Sequence, residues 1–157
     1  MVRGITGIGE GQGPFISIHD GFQGLTQYDD YLTGADRIAY DTHPYFAFGG
    51  GPNSEPIATG TGMEAGGQWP LQACNAWGPG INQTQSRAGV TFAGEFSNGY
   101  NDCGLFLLGT PNQPVNPECD TLWNNWASWN ETTKAGVQAF AEASMDTLQN
   151  WFFWTCE

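Results

Sequence analysis

Glu95 stands in the tetrapeptide Gly94-Glu95-Phe96-Ser97, directly after the apolar run at 90–93. The run reads as a strand and the tetrapeptide as its exit. A lone carboxylate is thereby placed where a barrel enzyme keeps its catalytic groups. Gly94 leaves room for close approach, and a strand fixes a carboxylate's direction better than a mobile loop does, as a nucleophile requires. An ordinary acidic residue at a strand end has the same local sequence, so the neighbourhood decides between the two. Polar and aromatic residues follow other apolar runs in the same way. His19-Asp20 comes after 15–18, His43-Pro44-Tyr45 lies just beyond 37–40, and the run at 151–154 is itself Trp-Phe-Phe-Trp.

These four short runs, at 15–18, 37–40, 90–93 and 151–154, are the strand candidates that could position such groups. Val137, Phe140, Ala141, Met145 and Leu148 recur at three- and four-residue steps. They predict a helix between the third and fourth runs, with Thr132 or Thr133 as its cap. Strand, helix, strand with strands of the buried type predicts parallel pairing. Weaker helical patterns lie at 71–78 and 24–34, and 49–67 is a loop rich in glycine and proline. No internal repeat or interdomain linker stands out, so residues 1–157 read as a single partial domain of α/β class. Four parallel strands with their functional ends aligned make half of an eight-stranded barrel. Half a barrel leaves two open sheet edges.

Composition excludes several classes of partner. Four Lys plus Arg against 16 Asp plus Glu give a formal charge of -12, which repels nucleic acid and anionic membrane surfaces. Only 13% of the residues are charged, 14% are aromatic and 23 are glycine, so the chain is neither a disordered acidic tail nor a helix-rich cytosolic protein. Cys74, Cys103, Cys119 and Cys156 form no C-x-x-C pair, which leaves a zinc site without support. No metal-ligand cluster, phosphate-binding glycine loop or nucleotide fingerprint is present in the sequence, and no cofactor is expected. Sequons at Asn82 and Asn130, together with few lysines and the four cysteines, point to a secreted chain in an oxidising compartment. The segment beginning at Met1 has no apolar core of signal-peptide length, and no run approaches a membrane span.

Taken in order, four motifs resemble the C-terminal half of the fungal exo-β-1,3-glucanases of glycoside hydrolase family 5. They are Ile18-His19-Asp20-Gly21-Phe22; Asp41-Thr42-His43-Pro44-Tyr45-Phe46-Ala47-Phe48; Gly94-Glu95-Phe96-Ser97 with Asn101-Asp102-Cys103; and Asn150-Trp151-Phe152-Phe153-Trp154-Thr155. The resemblance covers nearly the whole chain. It implies a (β/α)8 barrel, of which this chain holds roughly strands 5 to 8, that cleaves β-1,3-glucan with retention outside the cell or in the cell wall. Glu95 then matches the nucleophile, which forms a glycosyl ester that water later releases. His43 and Tyr45 match residues beside it, a donor to a sugar hydroxyl and a phenol turned to the carboxylate. Trp154 matches the floor beneath the sugar and Phe48 an aromatic of the acceptor side. Trp151 reads as core or barrel wall, and His19 and Asp20 as structural or as supports behind the residues that touch the sugar. Glu64, Glu118 and Glu142 read as ordinary solvated acids.

The departures from the family bear on what the chain does alone. A retaining glycosidase needs a second carboxyl group about 5 to 5.5 Å from the nucleophile. The family's acid/base lies in an Asn-Glu-Pro motif, and none occurs in these 157 residues; Ser54-Glu55-Pro56 lies in the wrong place. The chain is thus expected to be part of a longer protein, with Met1 an internal methionine and a tail missing after Glu157. The resemblance also implies a local Cys103–Cys119 disulfide, contributing on the order of 3 kcal/mol. It leaves Cys74 without its family partner, or mispaired with Cys156. Two other readings remain open at this stage: a non-catalytic glucan-binding fragment, and a half-barrel that dimerises to hide its edges.

Overall fold

The computed structural model describes residues 13–32, 35–49, 53–103 and 118–155; Met1, Cys156 and Glu157, on which the expectations about chain ends and Cys156 rest, lie outside them. Four strands, β1 (Ile16–His19), β2 (Ile38–Thr42), β3 (Thr91–Phe96) and β4 (Trp151–Phe153), form one sheet in chain order. Every neighbouring pair is parallel. Parallel neighbours need a crossover. Helix α1 (Trp69–Arg87) separates β2 from β3 in the chain and α2 (Glu131–Leu148) separates β3 from β4, whereas the described residues of the 24–34 segment form a short 3-10 turn at Leu25–Tyr28. β1, β2 and β3 end one to three residues later than their apolar runs and β4 one residue earlier, so Glu95 is the penultimate residue of β3 rather than a residue beyond it.

The weak pattern at 71–78 proves to be part of a 19-residue helix that contains Pro79. Proline removes a backbone donor and glycine weakens propensity, and Gly78-Pro79-Gly80 hides the helix from a local reading. Burial reveals it: Trp69, Ala73, Ile81 and Thr84 stand at steps of three and four or their multiples, and all are fully buried. The cap of α2 also differs from expectation. Asn130, not Thr132 or Thr133, is the cap, because its Oδ1 accepts the Thr133 amide at 2.9 Å and the Thr132 and Thr133 hydroxyls at 2.8 and 2.9 Å.

The chain divides into two compact units. The first takes the residues up to Pro44, Asn75–Phe96 and those from Thr147 onward, and holds the whole sheet. Its buried apolar residues include Leu25, Ala39, Tyr40, Ile81, Ala93, Phe96 and Leu148. The second takes Tyr45–Cys74 and Ser97–Asp146. It is built on aromatics: Trp69 stacks on Tyr100 at 4.2 Å and meets Phe46 and Phe140 at 5.6 and 5.5 Å. Cys103 and Cys119, 16 residues apart, are joined there by a disulfide, and Cys74 is exposed.

Glu118 departs from its reading as a solvated acid. Asn101 Nδ2 donates to it at 2.7 Å and the Tyr100 hydroxyl at 3.5 Å, while Asn101 also ties the Asn53 backbone at 2.7 and 3.0 Å. A buried amide needs such partners, and the acid supplies them. Burial and the adjacent Glu118 carboxylate together push the Tyr100 phenol far above the ordinary tyrosine range. Glu64 and Glu142 are exposed, as expected.

Candidate functional site

β2 and β3 align Tyr40 with Thr91, Asp41 with Phe92 and Thr42 with Ala93. Side chains of a strand alternate between faces, so Tyr40, Thr42, Thr91 and Ala93 share one face and Asp41 and Phe92 the other. Tyr40, Thr91 and Ala93 are buried. Strict alternation would send Glu95 to that buried face as well. It does not go there, because the β3–β4 register slips: Ala93 pairs with Trp151 but Phe96 with Phe153, three steps along one strand against two along the other. A bulge of one residue re-aims the side chains beyond it. Phe96 is thereby fully buried, and Glu95 turns to meet His43.

The polar cluster at the carboxyl ends of β2 and β3 follows from that slip. Gly94 N–H donates to Asp41 Oδ1 at 2.8 Å. Asp41 Oδ2 lies 3.4 Å from His43 Nε2, and His43 Nδ1 lies 3.6 Å from Glu95 Oε2. Side-chain exposure rises along this series, from 15% at Asp41 to 22% at His43 and 31% at Glu95, so the open end of the cluster is the Glu95 carboxylate. Gly94 has no substitute in this arrangement. A Cβ there would come within 2.8 Å of both Asp41 Oδ2 and His43 Nε2, and closer still to Asp41 Oδ1.

β1 completes the setting. The His19 ring packs edge-on at 4.4 Å from the His43 ring and 5.0 Å from that of Phe22. Its Nδ1 accepts the Gly21 amide at 2.9 Å, which fixes the proton of the neutral ring on Nε2. Asp20 is buried and serves as a bracket between strands. Its carboxylate accepts the Phe22 amide at 2.9 Å and the Thr42 hydroxyl at 2.8 Å, and its own amide donates to Asp41 O at 2.8 Å. On the other side, Trp154 N–H donates to Phe96 O at 2.8 Å and the Trp154 side chain is 58% exposed; its peptide bond to Thr155 is cis.

The sheet unit thus brings together His43 and Glu95, with Trp154 tied to the same strand as Glu95. Tyr45 and Phe48 belong to the second unit, where their rings lie 5.1 Å apart. Trp151, read as core or barrel wall, packs edge-on against Phe96 at 5.5 Å and remains partly exposed. Asp41 was not singled out from the sequence. Its signal was available in Asp41-x-His43, two residues that alternation puts on one face, opposite a glycine that can accept both. Among the described residues no group of three or more His, Cys, Asp or Glu is placed to hold a metal ion, and no helix is long and apolar enough to cross a membrane. The sequon asparagines are both exposed; Asn82 accepts from Gln149 Nε2 at 2.8 Å, and Asn130 caps α2.

The parallel sheet brings a carboxylate and an imidazole together at the carboxyl ends of adjacent strands, the place where α/β enzymes keep their chemistry. No family model matches the chain. By sequence, the chain is similar to fungal proteins named probable glucan 1,3-beta-glucosidase D. Identity is 28% with the proteins of Aspergillus flavus and Aspergillus niger and 29% with that of Aspergillus terreus, over 90% of this chain in each case. The matched region is 19% of each relative, so the chain spans about a fifth of their length.

Proposed function

We propose that this chain supplies the nucleophile side of a retaining β-glucan hydrolase of glycoside hydrolase family 5, acting on β-1,3-glucan. The observation that carries the reading is the Glu95 carboxylate, turned by the β3 bulge to 3.6 Å from His43 Nδ1 in a chain similar to glucan 1,3-beta-glucosidases. Glu95 attacks the anomeric carbon as a carboxylate while the aglycone leaves, and water then cleaves the glycosyl ester. His43 lies beside Glu95 and keeps the role that the family resemblance implies, and the exposed Trp154 indole offers a flat apolar face for a pyranose. Tyr45 and Phe48 keep the roles that the family resemblance implies, a phenol for the nucleophile and an acceptor-side aromatic.

The architecture proposed is strands 5 to 8 of a (β/α)8 barrel. An open cleft of about 620 Å³ supports it, lined by Phe15, Ala39, Val90, Phe92, Trp151 and Phe152 on the sheet. Apolar side chains of a closed barrel fill such space with partners from the remaining strands. The acid/base carboxyl belongs to those strands, and residues 1–157 alone are expected to release no aglycone. Secretion to the cell wall, with glycans on the exposed Asn82 and Asn130, fits a polysaccharide substrate.

Chemical rescue tests the reading. In the full-length gene product, Glu95→Ala should lose hydrolysis of an aryl β-glucoside by several orders of magnitude. Azide should restore aglycone release by attacking the anomeric carbon in place of the carboxylate, giving the α-glucosyl azide. Undiminished hydrolysis in Glu95→Ala, without azide, rules out Glu95 as nucleophile.

A further inference from the structure

We propose that Asp41 is a positioning residue for the Glu95 carboxylate, acting through the Gly94 amide and the His43 ring. The proposal deepens the reading of Glu95 as nucleophile and rests on it. The backbone ladder between β2 and β3 ends at Thr42 and Ala93. The Ala93 amide donates to Asn150 O on the β4 side, and the next amide, that of Gly94, donates to the Asp41 side chain. This is the amide within the slipped segment between Ala93 and Phe96. With that donor satisfied, the bulge holds; without an acceptor, a part-buried N–H is left unpaired, which favours relaxation of the strand toward regular alternation. Regular alternation would return Glu95 to the face of Thr91 and Ala93, away from His43.

The second oxygen of the same carboxylate sets the imidazole. Asp41 Oδ2 lies 3.4 Å from His43 Nε2, and a carboxylate can only accept, so this pairing favours the ring form with a proton on Nε2. The ring is thereby held with Nδ1 toward Glu95 Oε2. Among the described residues, the titratable groups facing His43 include Asp41 from β2, Glu95 from the slipped segment of β3, and His19 from β1. Of these, Asp41 alone touches both elements that aim Glu95, and it lies in the space that a side chain at residue 94 would need. Residues that orient a group in contact with substrate, without contacting it themselves, have this placement.

Kinetics and nitrogen NMR of the full-length gene product test the role, with Asp41→Asn, Asp41→Ala and Glu95→Gln compared on an aryl β-glucoside. Asp41→Asn keeps the size and an oxygen for the Gly94 amide, so the fold is retained, but it turns an NH₂ toward Nε2. The expected result is a loss of kcat of about 10- to 100-fold in Asp41→Asn, the loss falling on kcat rather than KM, and a larger loss in Asp41→Ala. The His43 Nε2 resonance in Asp41→Asn should move from a protonated to an unprotonated position, which a merely structural staple would not cause. If both Asp41 variants keep kcat within about twofold while Glu95→Gln is inactive, the positioning role is wrong and the nucleophile reading stands. An unmoved Nε2 resonance overturns it as well. If Glu95→Gln is itself as active as the parent, the reading of Glu95 fails and the positioning role with it.

Discussion

At Gly94 the absence of a side chain decides what two other residues can do. Asp41 and His43 occupy the volume of the missing Cβ, with Asp41 Oδ2 and His43 Nε2 both 2.8 Å from where it would be. Gly94→Ala must therefore displace the carboxylate, the ring or the strand. Overpacking of this kind costs about 1–3 kcal/mol, and a lowered melting temperature should accompany loss of aryl glucoside hydrolysis in the full-length product. A variant with unchanged melting and activity would show that the cluster tolerates a shift. Glu95 and His43 were legible in the sequence because each stands just past or beside an apolar run. Asp41 was not, because its importance depends on a one-residue slip that the period-two pattern of β3 does not reveal. The Asp41-x-His43 spacing and the glycine opposite it were its hints.

Elements were legible in proportion to their periodicity. The carboxyl-terminal part of α2 could be read from Phe140, Met145 and Leu148, whereas its first turn depends on a side-chain oxygen bonded to an amide three residues on. Asn130→Ala removes that acceptor and should lower stability by about 1 kcal/mol, measurable as a lower denaturant midpoint with an unchanged slope. Asn130→Asp should cost much less, since a carboxylate caps equally well, so equal losses in the two variants would argue that the cap is unimportant. α1 was nearly invisible because Gly78, Pro79 and Gly80 interrupt its middle. Its regularity comes from burial of Trp69, Ala73, Ile81 and Thr84, an outcome of tertiary packing that local propensity does not record. Strand existence and parallel pairing were legible; strand ends were not, since β2 runs on through Asp41, whose carboxylate accepts the Gly94 amide, and β3 runs on past its slip to the buried Phe96.

For the whole molecule, alkaline pH is a defined stress. Burial raises the Tyr40 phenol, with Tyr31 and Tyr28 adding to it, and burial beside Glu118 raises that of Tyr100. A phenol whose folded pKa exceeds its unfolded value leaves the native state holding more protons, so stability is fully present below the unfolded value and falls as pH rises through it, from about pH 10. Urea midpoints should be flat to about pH 9 and then drop, and Tyr100→Phe should flatten the drop. An equal decline in Tyr100→Phe would place the alkaline sensitivity elsewhere. Among the described residues β1 and β4 are the outer strands of the sheet, and an apolar cleft lined by Phe92 and Phe152 opens beside it. The parallel four-stranded sheet with two outer strands was legible from the four runs alone. Mass spectrometry of the full-length gene product after reaction with a 2-deoxy-2-fluoro-β-glucoside, which traps the glycosyl ester, tests the central claim most directly. The expected result is one fluoroglucosyl adduct on the peptide containing Glu95. An adduct on any other carboxylate, or steady turnover with none, would contradict the assignment.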